Sequence, residues 1–287
     1  MLNLNKILIA AINRAGRVIP KKMQRRIADF PGVIKFFEKM SGNQLVEITT
    51  PEGWGLVVNP LFHSNLLHEG DLLGYEPKTR EIISKFAKPG MVAYDIGANV
   101  GIFTFLFASI VGDQGAVYSF EPEENNYTCL QKSLDQLNKK NIVLDKRAVG
   151  KTKSREKFDR RGGAYSGRLI GDGAYSTTDN LKIVETVSLD YAVKQEGYRM
   201  PDILKIDVEG NEIMVLEGMK MILDSHNPLI ICEIHTHLGE SAKQVIGLLT
   251  SHGYSISPVN DALASNSLDA REFNINKGGH IIAFKTK

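Results

Sequence analysis

Apolar positions along this chain fall into two rhythms, short unbroken runs and longer stretches at helical spacing, separated by Gly, Pro and Asn. Short apolar runs suit strands covered on both faces, and their alternation with helical stretches predicts a parallel sheet wrapped by crossover helices. Met91 to Tyr94 is such a run, entered from the turn Pro89-Gly90. It continues through Asp95-Ile96-Gly97-Ala98-Asn99-Val100-Gly101 into Ile102 to Val111, which is apolar almost all round and closed by Gly112. A helix apolar on every face is a buried one, and glycine suits the left-handed position beyond its last turn. Ala116 to Phe120 predicts a second strand ending at Glu121-Pro122; a helix can start at Pro122, with Tyr127, Leu130, Leu134 and Leu137 as its packing face.

Further strands follow the same logic. Asn141 to Leu144 predicts a third, running on towards Arg147-Ala148-Val149. Ile203 to Gly210 predicts a fourth and Leu229 to His235 a fifth. Upstream, Leu45 to Ile48 and Gly55 to Val58 predict a hairpin closed by Thr50-Pro51-Glu52-Gly53. Between the third and fourth strands, Lys151 to Asn180 is rich in Gly and Arg, carries Tyr165 and Tyr175, and shows little periodicity. So long a connection is a lid, a substrate clamp or a flexible insertion.

The turn at Gly97 is the first candidate for chemistry. Glycines remove side chains where backbone turns sharply and a ligand approaches, and the helix beyond presents free N–H groups. A dinucleotide fingerprint places a glycine where Asn99 stands and another where Ile102 stands, which disfavours a pyrophosphate and with it a nicotinamide dehydrogenase. Asp95, just ahead of the turn, suits a cationic ligand, and S-adenosylmethionine carries a sulfonium and an ammonium. Glu121, at the tip of the second strand, stands where a carboxylate holds a ribose diol. The expected cofactor contacts are Asp95, Gly97, Ala98, Asn99, Gly101, Glu121 and Pro122, with Ala148 at the third strand's end and Asp207 on the fourth.

Alternation along the fourth strand puts Lys205, Asp207 and Glu209 on one face. A right-handed crossover sets that strand beside the first, so Asp207 faces the crevice of Asp95 and Gly97, where open α/β sheets bind ligands. A plain ion pair between Lys205 and Asp207, with Glu209 favouring the next helix, accounts for the same residues structurally. Glu233, His235 and His237 alternate onto one face as the fifth strand runs out. The six groups are candidate acid–base residues, and a divalent metal at the carboxylates stays open beside the reading that no metal is used.

Composition changes the picture in one place. The 287 residues carry a net charge of +2, but residues 1–40 hold nine basic residues against Asp29 and Glu38, leaving the arm at +7 and the rest at −5. Leu4, Ile7, Leu8, Ala11 and Ile12 share one helical face within it. Such an arm packs on its domain, touches an anionic membrane or meets an acidic partner. An acidic catalytic region argues against nucleic acid as partner. Two cysteines, Cys129 and Cys232, imply no disulfide framework and a reducing, cytoplasmic setting, with membrane association through the arm as the variant. No run approaches the roughly 20 apolar residues of a membrane span, and no cleavage site follows a signal-like core. The expected organisation is an arm and hairpin over 1–69 and one domain over 70–287.

Asp95-x-Gly97-x-Asn99-x-Gly101, Phe120-Glu121-Pro122, Ser188-Leu189-Asp190 and Leu204-Lys205-Ile206-Asp207-Val208-Glu209-Gly210-x-Glu212, in that order, resemble the FkbM family of S-adenosylmethionine-dependent methyltransferases. The resemblance spans roughly residues 70 to 285. It implies a Rossmann-like, seven-stranded, mostly parallel sheet in the order 3-2-1-4-5-7-6, with strand 7 antiparallel; Tyr254 to Val259 and His280 to Lys285 would form the last pair. It further implies methyl transfer from S-adenosylmethionine to a hydroxyl of a sugar, glycan or natural product. Neither the arm nor the 151–180 stretch belongs to the shared pattern, so the acceptor is not implied.

Overall fold

A computed structural model describes residues 45–59, 62–63, 66, 75–137, 139–160, 167–170, 181–236, 242–264 and 279–285. The basic arm, Tyr165, Tyr175 and His237 lie outside the described residues.

Among the described residues the first elements are a hairpin, β1 (Val46–Thr49) and β2 (Gly55–Val58), and then α1 (Pro77–Phe86). Next come β3 (Val92–Ile96), α2 (Ile102–Val111), β4 (Ala116–Phe120), α3 (Glu124–Leu137) and β5 (Ile142–Asp145). A smaller group follows: β6 (Ala148–Val149), β7 (Ser154–Asp159), β8 (Arg168–Ile170) and β9 (Leu181–Val187). The chain then returns through α4 (Leu189–Glu196), β10 (Ile203–Ile206), α5 (Glu212–Glu217), α6 (Lys220–Ser225) and β11 (Leu229–Ile234). It closes with α7 (Ala242–Ser251), β12 (Ser255–Pro258), α8 (Val259–Ala264) and β13 (Gly279–Phe284).

The main sheet runs β5-β4-β3-β10-β11-β13-β12, the expected order. Only β13 is antiparallel, to both its neighbours. All five residues of β3 are buried, as a strand covered on both faces requires. On one face Phe103, Phe105 and Phe107 of α2 pack with Ile82 and Ile83; on the other, Tyr94, Phe120, Leu216 and Ile222 share a core. The hairpin is fastened to α3, where Ser133 Oγ accepts from Val57 N–H at 2.8 Å. No helix among the described residues is long and apolar enough to cross a membrane. Cys129 and Cys232 are buried and are not joined in a disulfide.

Four expectations need correction. The stretch 151–180 is not irregular where described, for β7, β8 and β9 join β6 in a four-stranded sheet ordered β6-β9-β7-β8. Its strands alternate exposed, charged positions such as Arg155 with half-buried ones, so backbone pairing holds them and hydrophobic periodicity is faint. The third strand is two, β5 in the main sheet and β6 in the small one, with Arg147 at the break bound to Asp145 and Glu196, both at 2.6 Å. Finally, β10 stops at Ile206, and Glu209 takes a left-handed φ of 55°; Asp207 and Glu209 therefore belong to a turn rather than to a strand face. The helix near Pro122 also starts later, at Glu124.

Candidate active site

At the carboxyl ends of β3, β4, β10 and β11 lies a cavity of about 1070 Å³, counting its open mouth. The turn after β3 forms its floor. Gly97 has φ 82°, and a Cβ there would lie 1.9 Å from the Asp207 carbonyl oxygen, so only glycine lets the turn pass under the β10 tip. Phe120 O accepts from Gly97 N–H and Ala98 N–H, each at 3.0 Å, which ties the turn to β4 as well.

Glu121 projects into the wall from the β4 tip, 5% exposed. Its Oε2 accepts from Asn99 N–H and its Oε1 from Glu123 N–H, both at 2.8 Å, so backbone on both sides aims the carboxylate. Burial pushes its pKa up to about 7 against those two amides. Ala98, Asn99, Pro122, Ala148 and Asp207 also line the cavity. Two expected contacts do not line it. Gly101 sits behind the turn, where a Cβ would meet Leu130 Cδ1 at 2.3 Å, so its glycine serves packing. Asp95 is fully buried behind the turn, where its Oδ2 accepts from Thr104 Oγ1 at 2.6 Å and its Oδ1 makes no hydrogen bond. The phase of β3 aims its side chain at α2 instead of the cavity, and burial holds its pKa up against the pull of Lys205.

The charged residues of the β10 and β11 tips do converge. Lys205, 4% exposed, donates to Asp207 Oδ2 at 2.9 Å and lies over the Phe103 ring, 4.9 Å from its centre. Burial opposes the Lys205 charge, but Asp207, Glu76 and Asp95 outweigh it; Lys205 and His235 in turn hold Asp207 below the usual carboxylate range against burial. His235 Nδ1 lies 2.8 Å from Oε1 of the fully buried Glu212. Its Nε2 faces three carboxylates, Asp207 at 3.7 Å and Glu209 and Glu233 each at 3.6 Å. Burial lowers the imidazole, yet Glu212, Asp207 and Glu209 together lift it to about 9, so it is an imidazolium at neutral pH. Glu209 is pushed up to about 7, by burial first and by Asp207 and Glu233, against the pull of His235.

Sequence reasoning missed two members of this cluster, Glu76 and His280. His280 Nε2 lies 3.1 Å from Glu233 Oε2 and 3.5 Å from Glu76 Oε2, and these carboxylates outweigh burial to raise it to about 10. Glu233 and His280 are register partners across β11 and β13, a pairing the antiparallel last strand could have revealed. Glu76 precedes α1, outside every motif. Asp207, Glu233 and His235, or Glu76, Glu233 and His280, bring ligand atoms within 4.8 Å of one another and could hold a cation. Lys205 and the two imidazoliums already offset much of that negative charge.

A family model described as the methyltransferase FkbM domain matches residues 95–256. Hexuronic acid methyltransferase AglP of Haloferax volcanii is 28% identical over 181 residues, covering 63% of this chain and 70% of that protein. The 31-O-demethyl-FK506 methyltransferase FkbM of Streptomyces tacrolimicus is 26% identical over an alignment of 209 residues, covering 61% and 77%. A crystal structure of methyltransferase FkbM from Methylobacillus flagellatus overlaps with a TM-score of 0.46 at 15% identity, across 71% of this chain and 50% of that one. With its matched segment running from the end of β3 into β12 and taking in the glycine turn, Glu121 and the β10 and β11 tips, the chain belongs to the FkbM family of methyltransferases.

Proposed function

We propose that this methyltransferase moves a methyl group from S-adenosylmethionine to a hydroxyl of a sugar, glycan or natural-product-like acceptor. The observation that carries the reading is one cavity with two halves: an amide-aimed carboxylate, Glu121, beside the Gly97 turn, and a carboxylate–imidazolium cluster at the adjoining strand tips. The first half fits a nucleoside, with Glu121 accepting from a ribose diol and the cradle at Gly97 admitting the ligand against backbone. The second has an excess of acids, which favours a ligand of net positive charge. By their names, the Haloferax relative methylates a hexuronic acid and the Streptomyces relative 31-O-demethyl-FK506.

S-adenosylmethionine bound there supplies an electrophilic methyl on a sulfonium sulfur. The chain's own residues do the rest. The cavity walls hold the acceptor oxygen in line with that methyl, and such positioning supplies several kcal/mol of the rate enhancement. An alcohol is a poor nucleophile, so a base must take its proton as the C–O bond forms and the C–S bond breaks. Glu209 is the base in this reading: it lines the cavity and its pKa of about 7 matches neutral operation. Asp207 is locked to Lys205, and His235, already protonated, steadies the carboxylates it faces. His237 lies outside the described residues and takes no part in this scheme. Lys205 and His235 supply positive charge beside these carboxylates.

Methyl-labelled S-adenosylmethionine, offered with a neutral hexose, a hexuronic acid and a macrolide polyol, tests this. Label in an ether carbon of any acceptor supports the proposal. Calorimetry showing no binding of S-adenosylmethionine, together with no label in any acceptor, sinks it.

A further inference from the structure

We propose that Glu76 is the anionic partner of the methyl donor's α-ammonium group, an assignment that rests on the donor reading above. The residue expected to meet that cation, Asp95, is sealed behind the turn and bonded to Thr104. The cavity wall must therefore offer another carboxylate. Most are committed elsewhere: Glu123 to Arg160 at 2.6 Å, Asp207 to Lys205 at 2.9 Å and Glu233 to His280 at 3.1 Å, while Glu209 is the base in the reading above. Glu121, with both oxygens aimed by amides at the β4 tip, is placed for the ribose.

Glu76 differs. Its Oε2 is buried and makes no hydrogen bond, and its nearest cation, His280 Nε2, stands at the long ion-pair distance of 3.5 Å and nearer to Glu233, at 3.1 Å. It lines the same cavity as Gly97 and Glu121. Its neighbour Tyr75 packs on Phe103, ring centres 6.2 Å apart, and Phe103 in turn carries Lys205 Nζ over its face. Both Lys205 and Asp95, at the ends of the two central strands, feel the Glu76 charge. A nucleoside held by Glu121 at the β4 tip would extend its tail over the Gly97 turn, within the cavity that Glu76 also lines.

The test separates the tail from the nucleoside. S-adenosylhomocysteine carries the amino-acid tail, whereas 5′-methylthioadenosine has the same adenosine and thioether without it. Glu76→Gln keeps the shape and removes the charge. By calorimetry the variant should bind S-adenosylhomocysteine at least tenfold more weakly than wild type and 5′-methylthioadenosine within twofold, the second ligand reporting an intact fold. Glu76→Asp, charged but shorter, should fall between, and Glu76→Ala is read the same way if the Gln variant does not fold. Unchanged affinity for S-adenosylhomocysteine overturns the assignment, as does equal weakening of both ligands, which would mark general distortion. If wild type binds neither ligand, the donor reading falls and takes this assignment with it; if wild type binds both and the Glu76 variants weaken neither or both equally, the assignment falls and the donor reading stands.

Discussion

Gly97→Ala isolates the contact on which the cavity floor depends. The added Cβ would sit 1.9 Å from Asp207 O and 3.0 Å from Asp207 C, both backbone atoms that cannot rotate away. Relief requires the turn and the β10 tip to part by more than an ångström. That movement strains the seam where Asp207 N–H donates to Ile96 O at 3.0 Å and the bonds from Gly97 and Ala98 to Phe120 O. Holding alanine at φ 82° costs roughly 1–2 kcal/mol, and forcing atoms into a packed site costs roughly 1–3 kcal/mol more. A total of about 3 kcal/mol lowers Tm by roughly 6–12 °C in a domain of this size. Gly90→Ala is the control: Gly90 has nearly the same φ, 84°, with nothing within 4 Å of the added Cβ. It should lose only the conformational part, about 1 kcal/mol. Urea unfolding of the two variants measures the difference, and calorimetry with S-adenosylhomocysteine should show weaker binding for Gly97→Ala alone. Equal stability losses in the two variants would refute the argument that the Asp207 carbonyl dictates glycine.

The remaining predictions concern charge. Glu209→Gln should cut kcat by roughly 10²–10⁴-fold with donor affinity within twofold, and wild-type kcat should rise with pH through about 7 as Glu209 ionises; a rate flat from pH 6 to 8 removes Glu209 as base. Glu121→Ala should weaken S-adenosylhomocysteine and 5′-methylthioadenosine alike, at least tenfold, because both carry the ribose, and intact affinity for either would contradict the role. His235 and His280 have pKa values raised from 6.5 to about 9 and about 10, so their stabilisation is complete below pH 6.5 and vanishes as pH climbs through 9 to 10. The stability gap between wild type and His235→Gln/His280→Gln, on the order of 1–3 kcal/mol at pH 6, should therefore shrink towards pH 10. Urea midpoints giving a constant or widening gap would show that the imidazoliums contribute nothing to the cluster.

Much of the fold was legible because its signals are local. The β3 run, the glycine turn, the apolar α2 and the carboxylate closing β4 are consecutive in the chain, and each is demanded by backbone geometry or burial within a few residues. The main-sheet order followed from the resemblance and from crossover handedness, which constrains where β10 can lie relative to β3. The β6 to β9 sheet escaped notice since charged, half-exposed strands draw their stability from backbone pairing, which leaves no periodic trace in side-chain polarity.

The candidate site was legible only where a strand tip carries its own charge. Lys205, Asp207, Glu209, Glu233 and His235 announce themselves in this way, although the turn at Glu209 and not strand alternation brings them together. Asp95 shows the opposite case. An acid before a glycine turn reads as a ligand contact, yet which face of β3 it occupies depends on the phase of the strand against α2, and that phase buries it under Thr104. Glu76 and His280 had no local signal at all, because one precedes a helix far upstream and the other arrives on the antiparallel strand from the C-terminal end. Register opposes His280 to Glu233, and there His280 also comes within 3.5 Å of Glu76. The electrostatics of the pocket is thus a property of long-range pairing, and the acid that a short motif advertises is not the one the cavity presents.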